Sequence, residues 1–175
     1  MKLNRRSFAK NIAMAGIAAG MPVINSDGIR AAVPSDDHLK ISLNAFSFND
    51  LLLAGKITID DVLDFCAGIG IEGVDLTGYY FPGYPEPPAD DYIYHVKKKA
   101  FRLGLDLGCT GVRNDFTWAD PEKRKLEKKL VKDWIVVAQK LGAPGLRIFA
   151  GTLSKEVYPW DERAKWIAED IRECA

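Results

Sequence analysis

Seven side chains in this chain carry groups suited to gripping a small polar ligand: Asn44, Asp75, Tyr79, Tyr80, Asn114, Asp115 and Arg147. Asp75 lies in the strand-like run Val74-Asp75-Leu76-Thr77, and Arg147 in Leu146-Arg147-Ile148-Phe149. A charge at such a position needs a ligand or a partner. Arg147 offers a planar fork of donors for hydroxyls or a carboxylate; the alternative is an ion pair of Asp75 with Arg147 that fills the interior. Tyr79 and Tyr80, with Phe81 and Tyr84, belong to the stretch VDLTGYYFPGYPEPP at 74–88, where a short strand stops at Gly78 and opens into an aromatic, proline-stiffened loop. Such rings stack on the C–H face of a sugar while their phenols reach hydroxyls, or they simply pack as a lid on neighbouring loops. Asn114 and Asp115 follow a third strand beside Arg113. They are placed to touch a ligand, and Asn-Asp is equally ordinary turn chemistry. Asn44 ends the first strand. This is recognition chemistry; none of the seven is assigned as a catalyst. His38 falls in a linker and His95 inside a helix, and Cys66, Cys109 and Cys174 have no metal-ligand spacing, so they read as buried free thiols and no metal ligands are assigned.

The elements that must position these residues repeat. Alternation over 40–48 predicts a first strand, with Ile41, Leu43 and Ala45 on one side and Ser42, Asn44 and Phe46 on the other, followed by a loop through Asn49-Asp50. Thr58 with Asp61 starts a helix whose stripe is Ile59, Val62, Leu63 and Cys66. Asp90 is expected to cap a helix ending at Gly104, with Ile93, Val96, Ala100 and Leu103 inside. A third strand spans 105–110. Asp120-Pro121 opens a helix with Leu126, Leu130, Trp134, Val137 and Leu141 along one face and Gly142 at its end. A fourth strand covers 146–150, and a fourth helix starts near Trp160. Helix-closing glycines at 70, 104 and 142 and strand-closing glycines at 78, 111 and 151 recur at the length of one βα unit.

Strand against helix, four times over, predicts an α/β fold with a parallel sheet. One side of each strand is apolar; the other carries Ser42/Asn44, Asp75/Thr77, Asp106/Gly108/Thr110 and Arg147/Phe149. Strands buried between two helical layers are apolar on both faces, so a polar second face fits the interior of a barrel. Gly68-Ile69-Gly70-Ile71-Glu72-Gly73 matches GxGxxG, but it follows a helix and precedes a strand, the reverse of a dinucleotide fingerprint, and reads as a connecting turn.

Residues 1–32 are of another kind. Asn4-Arg5-Arg6-Ser7-Phe8-Ala9-Lys10 resembles the twin-arginine export motif, and the apolar run 12–21 after it is too short to span a bilayer. The expectation is a signal peptide or signal helix over 1–32, a linker over 33–39 and a body over 40–175, located in the periplasm or cell envelope. Ile29-Arg30-Ala31 is a poor cleavage site, which leaves a retained anchor open. Removing the basic leader leaves a mildly acidic body of net charge −4, with no reason to invoke nucleic acid.

The segments ISLNAFSF (41–48), GIEGVDLTGYYFP (70–82), AFRLGLDLGCTGVRNDF (100–116) and LGAPGLRIFAG (141–151) resemble the xylose-isomerase-like TIM-barrel family of sugar-phosphate isomerases and epimerases. The resemblance implies a partial (β/α)8 barrel, four βα units of eight. It further implies an N-terminal half, truncated, with its missing half or a homodimer partner closing the ring. For the intact family it implies metal-assisted proton transfer beside a carbonyl of a sugar or keto-sugar. The divalent metal's Glu, Asp, His and Glu ligands come from later strands that this chain does not supply, so the chain alone is expected not to turn over. Two other readings stand beside the isomerase or epimerase: a non-catalytic half-barrel for carbohydrate binding or assembly, and a keto-sugar lyase or hydrolase on the same fold.

Overall fold

The computed structural model describes residues 40–152 and 159–175, all within the unit Lys40–Ala175. The export motif, the linker and His38 lie outside the described residues. The order is β1 (Ser42–Asn44), α1 (Asn49–Leu53), α2 (Ile59–Gly68), β2 (Gly73–Thr77), α3 (Asp90–Leu103), β3 (Asp106–Gly111), α4 (Pro121–Leu141), β4 (Leu146–Arg147) and α5 (Trp160–Cys174). The four strands are parallel and lie in the order β1-β2-β3-β4. Each unit therefore adds to the same edge. A doubly wound sheet would reverse direction at a switch point; uninterrupted winding is how a TIM barrel grows. The fold is α/β, a partial TIM barrel of four βα units.

Local chemistry sets the helix ends. Thr58 and Asp61 form a reciprocal capping box on α2, and Asp120 accepts from Glu122 N at 2.9 Å with Pro121 in the first turn of α4. Gly104 and Gly142 take the left-handed conformation that ends α3 and α4, at φ of 71° and 83°. The apolar stripes meet between helices and sheet: Val62, Leu63 and Cys66 of α2, Val74 and Leu76 of β2, Ile93 and Val96 of α3, and Trp134 and Val137 of α4 are all buried. Each such side chain contributes about 1.5–3 kcal/mol through its removal from water.

Several expectations are corrected. The first strand does end at Asn44, but the alternation read over 45–48 does not continue it, because the Asn44 side chain accepts from Phe46 N at 2.8 Å and turns the chain into a 3₁₀ segment, Ala45–Phe48. Asn49-Asp50 opens the short helix α1 instead of a loop. Ile41 precedes β1 at the sheet edge and is 65% exposed. Asp90 is not the cap of α3. Ala89 holds that position, and the Asp90 carboxylate accepts from Lys140 Nζ. Leu126, expected on the inner face of α4, is 67% exposed. Cys66 and Cys174 are buried free thiols, and Cys109 is only half-buried.

The largest correction lies in β3. The register runs Val74↔Leu107 and then Asp75↔Cys109, so Gly108 is an extra residue. A bulge of one residue exchanges the faces of all that follows. Thr110 consequently pairs with Leu76 and is buried, its hydroxyl donating to Leu76 O, instead of sharing the inner face with Asp75. β4 is also shorter than the alternation predicts. Beyond Arg147 the chain still tracks the segment after β3, through Phe116 N to Ala150 O at 2.9 Å and through the Asn114 side chain, but outside the strand ladder.

Candidate functional site

The inner face of the sheet, away from the helices, is layered by register. Asn44, Asp75 and Cys109 are aligned across β1, β2 and β3, and Thr77, Gly111 and Arg147 across β2, β3 and β4. In the first layer Asn44 Nδ2 donates to Asp75 Oδ2 at 2.7 Å. Asp75 thus pairs with Asn44, and no Asp75–Arg147 ion pair forms among the described residues. In the second layer Gly111 has no side chain, and Arg147 lies over it: a Cβ on Gly111 would stand 2.9 Å from Arg147 Nη2 and 3.1 Å from Nε. Asp75 Oδ1, Thr77 Oγ1 and Arg147 Nε and Nη2 are buried without hydrogen-bond partners. Buried polar atoms are ordinarily satisfied, so this inner face has unspent hydrogen-bonding capacity.

Above the strand ends the loops enclose a cavity of about 570 Å³ lined by Phe46, Tyr79, Arg113, Asp115, Arg147 and Phe149, with Asn114, Gly151 and Thr152. This is the C-terminal face of a parallel barrel, where such folds place their sites, and the volume suits a small ligand. The aromatic walls are braced from outside. Phe81 and Tyr84 pack on Trp134 with ring centroids 5.6 Å away in each case, and Trp134 Nε1 donates to Pro85 O at 2.9 Å. Tyr79 stands 6.2 Å from the Tyr84 ring, and the Arg113 guanidinium lies 4.5 Å over Tyr79. Gly78 permits the close approach beneath: a Cβ there would meet Gly111 O and Trp134 at 2.8 Å.

Four of the seven predicted contacts, Tyr79, Asn114, Asp115 and Arg147, line this cavity. Asn44 and Asp75 lie deeper, bonded to each other, and the Tyr80 hydroxyl donates to Asn49 Oδ1 at 2.8 Å. Burial, together with the neighbouring Tyr79 phenol, raises the Tyr80 pKa well above its usual value. Asn114 is almost fully buried, with its amide committed to Phe149 backbone. Asp115 accepts from the backbone N–H and the hydroxyl of both Thr117 and Thr152. Burial pushes its carboxyl up, but those four hydrogen bonds outweigh it and hold the pKa below the ordinary value. Phe46, Phe149, Gly151 and Thr152 were not singled out as contacts. The Asp115-x-Thr117 spacing, a local side-chain turn signal, was the one hint that the two loops are stapled.

Among the described residues, no three His, Cys, Asp or Glu side chains stand together so as to hold a metal ion. His95 is on the exposed side of α3, 2.8 Å from Asp60 Oδ2, and does not line the cavity. The described residues do not fit the divalent metal that the family resemblance implies.

No protein-family model matches the chain, and no curated protein matches it. Solved structures do match. A D-psicose 3-epimerase from Clostridium cellulolyticum H10, solved with D-tagatose, superposes with a TM-score of 0.65 at 16% identity, over 78% of this chain and 47% of that one. A 3-keto-D-glucoside 4-epimerase from E. coli gives 0.58 at 14% identity, over 78% and 50%. A probable 3-DHS dehydratase from Bacillus anthracis gives 0.53 at 20% identity, over 78% and 47%. The fold is thus a partial TIM barrel, the architecture shared with these two sugar epimerases and this dehydratase. The chain spans about half the length of the structures it matches.

Proposed function

We propose that this chain is the substrate-holding part, an N-terminal half, of a carbohydrate isomerase or epimerase barrel. The observation that carries the reading is the cavity at the strand ends, walled by Phe46, Tyr79 and Phe149 and reached by two guanidinium groups. Rings of this kind take the C–H face of a sugar, and forked donors take its oxygens. The chain's own share is binding and orientation. Asp115, the one carboxylate among the described residues that line the cavity, is saturated by hydrogen bonds and held ionised, which makes it a poor carrier of protons at neutral pH. Proton transfer beside the sugar carbonyl, and any metal, then belong to barrel units that complete the ring, from a missing half or a second copy. The outer strands β1 and β4 present the edges to which such units would add.

The saturation of Asp115 also favours a second reading, a non-catalytic half-barrel that only binds carbohydrate. The likeness to a dehydratase keeps a lyase on the same fold as a third. Titrating the full chain with D-psicose and D-tagatose, followed by NMR shifts of the tyrosine and arginine side chains, tests the binding that all share. Saturable shifts at Tyr79 and Arg147, weakened about tenfold by Tyr79→Ala, are expected; sugars that leave these signals unmoved refute the reading. Turnover of the same sugars by the chain alone would remove the division of labour.

Export to the cell envelope by the twin-arginine route completes the proposal, supported by Arg5-Arg6 and the short apolar run after them. A reporter fused after residue 39 should reach the periplasm, and Arg5→Lys with Arg6→Lys should keep it inside. Unchanged export of the doubly substituted leader would defeat the assignment.

A further inference from the structure

Among the described residues, three charged side chains line the cavity, Arg113, Asp115 and Arg147. Asp115 is fully engaged with Thr117 and Thr152. The two guanidinium groups are not engaged with any acid: among the described residues neither makes an ion pair within 4.0 Å. Each instead rests on a ring, Arg113 at 4.5 Å from the Tyr79 centroid and Arg147 at 5.6 Å from that of Phe149. Arg147 goes further, because its Nε and Nη2 are buried with no acceptor, in a space that exists only because residue 111 is glycine. A half-buried cation with unpaired donors is costly unless an anion answers it. Asp75 lies one layer deeper, bonded to Asn44, and among the described residues no carboxylate lies within ion-pair distance of either guanidinium group.

The charge of the answering anion follows from the same residues. Among the described residues that line the cavity, two guanidinium groups against one carboxylate leave a single positive charge. A monoanion balances it, whereas a phosphate dianion leaves an excess. We propose that the sugar taken by this site carries a carboxylate, as in a uronate, an aldonate or a keto-acid sugar, gripped by Arg147 with Arg113 at the mouth. Tyr79 would serve both as the platform for the sugar ring and as the support that holds Arg113 in place. The inference rests on the reading of the cavity as a sugar site and narrows it to an acidic class.

The test is calorimetric titration of the full chain with D-glucuronate, D-glucose, D-glucose 6-phosphate and D-psicose. D-Glucuronate is expected to bind about tenfold more tightly than D-glucose, since charge-assisted bidentate hydrogen bonds are the strong ones. That ratio should shrink at least about threefold in Arg147→Gln and in Arg113→Gln, and at raised ionic strength. Arg113 is exposed, so its substitution keeps the test decisive even where Arg147→Gln fails to fold. Equal binding of acid and neutral sugar, or an acid preference that survives both substitutions, overturns the inference while D-psicose binding leaves the sugar site standing. Tighter binding of D-glucose 6-phosphate overturns the choice of a carboxylate. If none of the four sugars binds, the sugar site and this inference fall together.

Discussion

Asn114 grips the backbone of Phe149 with both ends of its amide: Nδ2 donates to Phe149 O at 2.7 Å, and Phe149 N donates to Oδ1 at 2.8 Å. The side chain stands in for a neighbouring strand and extends the union of β3 and β4 past the last ladder pair, Gly111↔Arg147. Asn114→Ala leaves the Phe149 carbonyl and N–H without their protein partner in a half-buried place and should cost about 1–3 kcal/mol. Asn114→Asp replaces the donor by a second acceptor and should not rescue it. Urea unfolding of the three proteins checks both statements, and equal midpoints would refute them.

Gly111 is the second point of leverage. A methyl group there would press on Arg147 Nη2 and Nε, the movable end of a long side chain. Gly111→Ala should therefore displace the guanidinium more than it destabilises the fold. Sugar binding is expected to weaken about tenfold, with a melting temperature only a few degrees lower. A variant that binds as wild type does would show that Arg147 does not contact the ligand.

The Asp115 staple makes a prediction in pH. A carboxyl whose pKa is lower folded than unfolded stabilises the fold above its unfolded value, about 3.9, and loses that contribution as pH falls through the folded value. The melting-temperature gap between wild type and Asp115→Asn should thus be widest near neutrality and shrink below about pH 4. Glu127 has the opposite sign. Burial raises its pKa, the bond from Asp115 N lowers it, and the Asp115 charge raises it again, with a net rise. Its ionisation works against folding as pH climbs past the ordinary glutamate value. Glu127→Gln should therefore raise the melting temperature at neutral pH and leave it unchanged near pH 3. Differential scanning calorimetry across that range reads both trends.

A buried charge cluster ties α5 to α4. Asp170 Oδ2 lies 2.8 Å from Arg124 Nε, and Asp170 Oδ1 lies 3.1 Å from Lys128 Nζ, with only 9% of the Asp170 side chain exposed. The same Arg124 donates to the carbonyls of Trp118 and Ala119 at 2.9 Å. Asp170→Ala leaves the buried Arg124 without a carboxylate, while Lys128 keeps its pair with Glu173, and should cost about 3–5 kcal/mol. Replacing the exposed Glu122 of the 3.6 Å pair with Lys125 should change stability by less than about 1 kcal/mol. Chemical denaturation that ranks the two substitutions equally would contradict the distinction.

Much of the frame was legible because its causes are local. Thr58 with Asp61, Asp120-Pro121, and the glycines at 104 and 142 act through bonds within one turn, and the helices start and stop at them. The buried stripe of α2 follows from its spacing alone. Relations between strands were not legible. The extra residue at Gly108 exists only as a mismatch between β2 and β3, so the inner position expected for Thr110 belongs to Cys109 instead. The cavity shows the same division. Tyr79 and Arg147 announce themselves by type and place. Phe149, Gly151 and Thr152 join it because Asn114 and Asp115 draw the ends of two loops together. The pairing of Asp75 with Asn44 required knowing which strands are neighbours.

The bulge in β3 makes this strand one residue longer than its pairing with β2 requires. Losing the single codon for Gly108 would restore plain alternation with Cys109, Thr110 and Gly111 still opposite Asp75, Leu76 and Thr77, so position 111, the empty seat beneath Arg147, would stay on the inner side. Removing two residues would instead carry it round to the helical side. In relatives of this chain, the interval from 106 to 111 should thus keep this length or be shorter by a single residue, and wider variation in length should gather in the connections.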